Sequence, residues 1–319
     1  MPYYFRFPDH PPEITLAKAI DKADILCYRL RRRIKKLNLT SSRKKRLLAL
    51  LGLDRHTDQL TLADMQARKA ALQILFAVAE QWVPELIPDD MPLYHVTLVD
   101  DIGHTSDRKP IIRLSQFRRK VDKAIRVLGL SGFAIIEIQV LLDYPLAKRH
   151  TLLVNAHVLG WGHVSRRKFR EAKEKLNRSR SWSNSFGALP IKPRRLKHGL
   201  DDALKIMCYQ TKAPLGAKCR VPRPNHPGEY RFKSTMTGFT DKIALRLIEG
   251  LSQISVFDVV FCIGEAKHIR KIWKSELVKW HRQRSETGGG PIKDFDVANL
   301  WRYTRRANGH ELYRPFKIT

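Results

Sequence analysis

The chain is short of cysteine, of long apolar runs and of acidic residues, and each shortage excludes a class of protein. The four cysteines (Cys27, Cys208, Cys219 and Cys262) are scattered with no CxxC pair, so neither a zinc finger nor a disulfide framework is indicated. No apolar stretch approaches the length of a membrane span. The opening Met1-Pro-Tyr-Tyr-Phe-Arg-Phe7 has proline and charge where a signal peptide needs an uninterrupted apolar core. A cytosolic protein is the simplest inference. Internal repeats and low-complexity tracts are also missing.

The deficit of acid is the strongest compositional signal. Sixty Lys and Arg face 31 Asp and Glu, a formal charge of +29 over 319 residues. Such an excess is costly through self-repulsion and usually has a polyanion to meet. Nucleic-acid phosphate is the usual one, bound through counterion release. The basic residues run the whole length of the chain, unlike a tail added to a neutral enzyme. The charge therefore selects a partner without selecting a chemistry. A hydrophobic content of 43% and this length allow two domains, or one with extensions, around an ample core.

Residues 13 to about 88 have helical periodicity. Leu16, Ile20, Leu26, Leu30 and Ile34 line one helix that carries Arg31-Arg-Arg-Ile-Lys-Lys36. A second basic helix covers Arg43 to Leu51, and a third starts at Thr61 with Asp64 three positions on and runs to Trp82. This basic helical region, 1–90, is either a DNA-binding module or a helical cap with a solvated face. Pro84 to Pro92 is a breaker-rich linker. Strands are expected at 94–99, 133–140 and 151–159, with Asp100 to Asp107 as a loop. Basic helices are expected at Leu114–Leu128 and Arg166–Asn177. From Arg178 to His198 runs a long basic loop with a short strand near 188–191. Asp201–Ala213 is a helix ended by Pro214, 217–239 is polar and turn-rich, and Thr240 caps a helix to Ser252. Val256–Ile263 is strand-like and Glu265–Arg284 helical. The expected division is 1–90, 91–215 and a basic, helical C-terminal region 216–319.

The most informative stretch is His150-Thr-Leu-Leu-Val-Asn-Ala-His-Val-Leu-Gly-Trp-Gly162. Alternate side chains on a strand face opposite ways. Leu152, Val154, Ala156 and Val158 therefore enter a core, and Asn155 and His157 share the other face. Glu137 and Gln139 do the same on the strand from Phe133, as do His95 and Thr97 on the strand from Tyr94. If the three strands pair, His95, Glu137, Gln139, Asn155 and His157 gather on one sheet face. A solvated face of an antiparallel sheet would look similar. Farther on, Lys205, Tyr209 and Lys212 lie at helical spacing and share a face. Cations around a tyrosine favour its phenolate, which suits a nucleophile aimed at phosphate; a half-buried packing tyrosine has the same spacing.

This order of parts, with Asn155-Ala-His157 on the central strand and Cys208-Tyr-Gln-Thr-Lys212 on a later helix, resembles the HUH endonuclease superfamily of rolling-circle initiators, relaxases and related transposases. That family carries His–hydrophobic–His on its central strand and a helical pattern close to Tyr-x-x-Lys-Tyr-x-x-Lys. The resemblance covers residues 93–213. It implies an α+β fold, an RRM-like antiparallel sheet of five strands with flanking helices, plus helical N- and C-terminal extensions. It further implies that Mg2+ or Mn2+ is held by His157, Asn155 and Glu137, with Tyr209 as nucleophile and Lys212 and Lys205 as its basic companions. The first histidine of the motif is Asn155 here, an amide whose oxygen still suits a hard cation. Three outcomes stay open: an active variant, a site using His150 or His95, and a binding protein without catalysis.

The function so implied is a plasmid- or phage-encoded, bacterial, cytoplasmic initiator that nicks and rejoins single-stranded origin DNA through a 5′-phosphotyrosine. A host helicase is a further partner to be considered; no membrane and no small-molecule cofactor is expected. The alternative is a non-catalytic DNA- or RNA-binding protein on the same fold. Arg166, Arg167, Lys168, Arg178, Arg180, Arg194 and Arg195, with Trp182 set among them, are the expected nucleic-acid contacts, since an aromatic ring among arginines suits stacking on unpaired bases. A tryptophan anchoring an exposed loop would give the same pattern. From the charge alone we predict that DNA affinity falls roughly a thousandfold or more between about 50 and 200 mM salt, as expected for six or more phosphate contacts. A filter-binding titration that finds no salt dependence would refute a phosphate-directed role for the charge.

Overall fold

The protein is described by a computed structural model. It describes residues 16–52, 60–88, 90–106, 111–142, 150–183, 189–197, 199–211, 213–214, 216–223, 226–234 and 240–286. In chain order come α1 (Leu16–Lys36), α2 (Ser41–Leu50), α3 (Met65–Leu86), β1 (Leu93–Ser106), α4 (Leu114–Val127), β2 (Ser131–Leu142), β3 (His150–Trp161) and α5 (Arg166–Arg178). Then follow β4 (Ile191–Arg195), α6 (Gly199–Thr211), β5 (Lys218–Arg223), β6 (His226–Ser234), α7 (Asp241–Leu251), the short α8 (Val256–Val259), β7 (Val260–Ile263) and α9 (Lys267–Glu286). The result is a mixed α+β fold, an antiparallel-rich sheet with helices flanking it.

The sheet has seven strands in the order β4-β1-β3-β2-β5-β6, with β7 also on β2. β1, β3 and β2 are the long central strands, antiparallel to one another. Residues 93–195 thus run β-α-β-β-α-β with sheet order β4-β1-β3-β2. Val96, Leu98, Ala134, Ile136, Ile138, Val154, Ala156 and Val158 are fully buried on one face. α5 packs there through Phe169, which stacks on Tyr94 at 4.6 Å. On the other face lies α6, which contacts β1, β2 and β3 and packs against α3. One connected core runs from Ala23 in α1 to Trp280 in α9, across the expected boundaries near 90 and 215.

Several elements depart from the sequence expectation, each for a local reason. The loop expected after Val99 is part of β1. A register shift between Val99 and His104 absorbs the extra residues, and His104 to Ser106 pair again with β3. Gly103 permits this, because a Cβ there would sit 2.2 Å from the Val154 carbonyl oxygen. The turn-rich segment 217–239 contains the hairpin β5–β6 instead. Its first strand joins β2 in parallel at Leu141 and Leu142, which brings the sheet to seven strands and makes it mixed, against five antiparallel strands expected. Pro222 hid this strand; it sits at a register shift, where a missing N–H is tolerated. Val256–Ile263 splits into a helical turn and a strand, and α3 continues through Pro84 to Leu86. Gly288–Gly290 and the tail with Trp301, Tyr303, Arg305 and Arg306 lie outside the described residues.

A buried ion pair ties the helical layer together. The Asp64 carboxylate caps α3, accepting from the backbone N–H groups of Gln66 at 2.9 Å and Ala67 at 3.0 Å. It also accepts from Arg284 of α9 at 2.6 Å, with both side chains buried. The same guanidinium reaches the carbonyl of Gly52, whose φ of 74° turns the chain after α2. Removing one partner leaves a buried charge unpaired, which costs far more than an exposed pair is worth. We predict that Arg284→Met lowers unfolding free energy by about 3–5 kcal/mol. Urea denaturation should show it, and Asp64→Asn added to Arg284→Met should cost less than the two single changes summed.

Candidate functional site

The register of the central strands decides which polar side chains meet. Glu137 lies opposite Asn155, Thr97 opposite His157, and Ile135 also opposite His157. Opposed residues share a face, so His95, Thr97, Glu137, Gln139, Asn155 and His157 stand together on the face covered by α6. Glu137, Asn155 and His157 are buried, at 4%, 3% and 3% exposure. The solvated face that the residue pattern also allowed is therefore absent at this point of the sheet.

One oxygen is the centre of the cluster. Oε2 of Glu137 accepts from Gln139 Nε2 at 2.7 Å and Asn155 Nδ2 at 3.2 Å, and lies 3.0 Å from His157 Nε2. A carboxylate only accepts, so Nε2 carries the proton and donates. In the neutral ring Nδ1 is then an acceptor, from His95 Nε2 at 3.2 Å and the Thr97 hydroxyl at 3.3 Å. The Gln139 carbonyl accepts from Lys218 Nζ at 2.6 Å. A hydrogen-bonded chain thus crosses four strands, from Lys218 on β5 to His95 on β1. Burial, with competition from the His157 ring for a proton and the cation of Arg194 adding to it, pushes His95 down to about 3, so it is neutral.

Three atoms of this chain form a near-equilateral triangle. His157 Nε2 and Glu137 Oε2 are 3.0 Å apart, Asn155 Nδ2 is 3.0 Å from the first and 3.2 Å from the second. Adjacent donors around an octahedral Mg2+ at about 2.1 Å lie roughly 3 Å apart, so the spacing matches three ligands of one small hard cation. Asn155 Oδ1 is buried without a partner. Turning the amide over puts that oxygen in the triangle, as a cation requires. Among the described residues no group of three His, Cys, Asp or Glu side chains is arranged to hold a metal ion; the triangle has two of these types and completes itself with an amide. His150 stands at the far end of β3, paired with Leu142 and on the opposite strand face, outside the cluster.

The expected nucleophile helix exists as α6. Tyr209 is within it and Lys212 follows it; the side chain of Tyr209 and all of Lys212 lie outside the described residues. Ala203, Ile206 and Met207 are buried on α6, whereas Lys205 is exposed. Arg166, Arg167, Lys168, Arg178 and Arg180 are exposed on and just beyond α5, and Arg195 is exposed on β4 with Arg194 half-buried beside it. Asn177 joins these two elements through both Ile191 backbone groups, each at 2.9 Å. Trp182 is buried beneath Lys120, whose Nζ lies 4.9 Å from its ring centroid, so it packs as the anchor of its loop.

Sequence reasoning missed Arg68 and Lys218. Arg68 stands in helical line with Leu72, Leu75 and Ala79, all buried, and a cation on an apolar stripe is a readable sign of a buried charge. Lys218 sits in a segment whose pairing was hidden, and nothing local marked it.

Comparison with known protein families, curated proteins and solved structures finds no match. Among the described residues no helix is long and apolar enough to cross a membrane.

A pH dependence follows from His95. Its folded value of about 3 lies below the ordinary 6.5, so between these values the unfolded chain binds a proton that the native state refuses. Stability therefore rises with pH through this window and falls on acidification below about 6.5, by up to about 1.4 kcal/mol per unit from this group. We predict that His95→Gln flattens this acid limb in urea-denaturation midpoints measured from pH 7 to pH 4. An unchanged slope would mean that His95 is solvated and protonates freely.

Proposed function

We propose that the protein is a rolling-circle-type initiator that nicks and rejoins single-stranded origin DNA, with the RRM-like sheet of an HUH nuclease. The observation that carries this reading is the triangle of Glu137, Asn155 and His157 on the adjacent strands β2 and β3 of a β4-β1-β3-β2 sheet. The charge of +29 supports a nucleic-acid substrate, and the exposed cations of α5 and β4 offer a track for its backbone. Phosphate contacts of this kind position a strand without reading its sequence. The setting would be the cytoplasm of a bacterium carrying the plasmid or phage, where a host helicase could extend the opened strand.

In the mechanism we propose, Tyr209 attacks the scissile phosphorus in line. Its phenolic oxygen bonds to phosphorus as the bond to the 3′ oxygen breaks, the 3′ oxygen takes a proton, and the 5′ end stays on the enzyme as a phosphotyrosine. Attack by a 3′-hydroxyl reverses the step and rejoins the strand. Glu137, Asn155 and His157 would hold Mg2+ or Mn2+, which when bound supplies positive charge against the phosphate oxygens. His95 and Thr97 orient the His157 ring through Nδ1, and Gln139, itself held by Lys218, orients the carboxylate of Glu137. Lys212 and Lys205 would favour the phenolate of Tyr209.

A second reading has its own observation. The cluster is buried while Lys205 is exposed, which suits a binding protein that keeps the sheet and has no catalysis. We predict that wild type with Mn2+ and single-stranded origin DNA gives a slow-migrating covalent adduct on a denaturing gel. Tyr209→Phe should abolish the adduct and leave DNA affinity within about twofold, since binding rests on phosphate contacts spread over the chain. A wild type that never forms the adduct favours the binding protein; an adduct surviving in Tyr209→Phe removes this residue from the role.

A further inference from the structure

β4 stands at one end of the strand order, and its register puts two cations on the face of the buried cluster. Lys192 lies opposite Thr97 and Arg194 opposite His95, and directly opposed residues share a face with Cβ atoms about 5 Å apart. Thr97 and His95 are the two side chains that meet His157 Nδ1, at 3.3 and 3.2 Å. Each of these cations therefore stands one residue away from the His157 ring. Ile191, Pro193 and Arg195 alternate to the other face, where α5 packs. Burial falls off in the same direction: Glu137, Asn155 and His157 are buried, whereas Lys192 and Arg194 are half-buried. Burial and the neighbouring guanidinium both hold the Lys192 ammonium below its usual range, so two like charges share a short stretch of strand under repulsion. An anion between them relieves it.

We propose that Lys192 and Arg194 together seat one phosphate of the bound strand, so that nucleic acid enters the site over β4. This rests on the reading that Glu137, Asn155 and His157 form the cation site of a strand-cutting protein, and it names the residues that would hold the phosphodiester beside that site. A phosphate accepts from several donors at once, and its charge strengthens each bond. Lysine brings a compact charge on a flexible four-carbon stem and arginine a planar fork, so the pair can grip one phosphate from two sides. The remaining oxygens stay turned to the cluster. Arg195, the next residue on the strand, is exposed on the opposite face and belongs with the cations of α5, outside this seat.

The test is binding of a fluorescent oligothymidylate to the full chain, read by anisotropy across a salt series. Lys192→Met and Arg194→Met should each weaken binding about tenfold, the worth of a hydrogen bond to a charged group. Each should also lower the salt slope by about one, and the double variant by no more than either alone, because both cations hold the same phosphate. Lys192→Arg, which keeps the charge, should stay near wild type, and Arg195→Met should add its own loss to that of the double variant. A measurement on wild type covers the case of a variant that fails to fold: acetylation of Lys192 by acetic anhydride, read by mass spectrometry, should drop severalfold when the oligonucleotide binds. Unchanged acetylation overturns the proposal, as do single variants with wild-type affinity and slope. Losses that add in full in the double variant also overturn it, since the two cations then hold separate phosphates. The covalent adduct assayed on the same preparations separates the two readings. A wild type that forms it while Lys192→Met and Arg194→Met bind normally sinks this inference alone. The expected binding losses without an adduct sink the nicking function alone and leave the seat to a binding protein.

Discussion

A carboxylate buried in the middle of a sheet face sets the terms for everything packed around it. Removing an ionised group from water is expensive unless donors and opposite charge meet it. Glu137 collects three side-chain donors on one oxygen. Those donors come from β2 and β3, and the relay beyond them from β1 and β5. Slipping β2 by one residue against β3 would turn Glu137 into the apolar core and Ile136 and Ile138 out of it. The cluster and the strand register therefore hold each other in place.

The helical layer is organised by a second buried charge. Asp64 caps α3, meets Arg284 of α9 and sits against the turn at Gly52. Arg68 follows one turn later on the same helix and is buried as well. Trp273 adds a further tie, donating from its ring nitrogen to the Ala71 carbonyl at 3.0 Å. Among the described residues positive charge is turned inward at Arg68 and Arg284, and Arg284 faces the buried Asp64. The exposed remainder on α1, α2 and α5 faces solvent or phosphate, with surface pairs such as Arg33 with Asp241 and Arg167 with Glu171 offsetting part of its self-repulsion.

Charge and strand alternation were decided by the sequence alone. The period of two puts Glu137 with Gln139 on one side of β2, Asn155 with His157 on one side of β3 and His95 with Thr97 on one side of β1, and the pairing of the three strands then brings these sides together. Helical spacing likewise fixed the stripe of α1 and the existence of α6. Tertiary structure decided the rest. The hairpin β5–β6 exists because β2 offers an open edge for it, a long-range pairing that proline-rich local chemistry conceals, and with it comes Lys218. The second half of β1 exists because Gly103 lets two backbones touch. Arg284 becomes the partner of Asp64 only when α9, some two hundred residues later in sequence, is laid against α3. Such pairings depend on distances between elements, and no local pattern of residues encodes a distance.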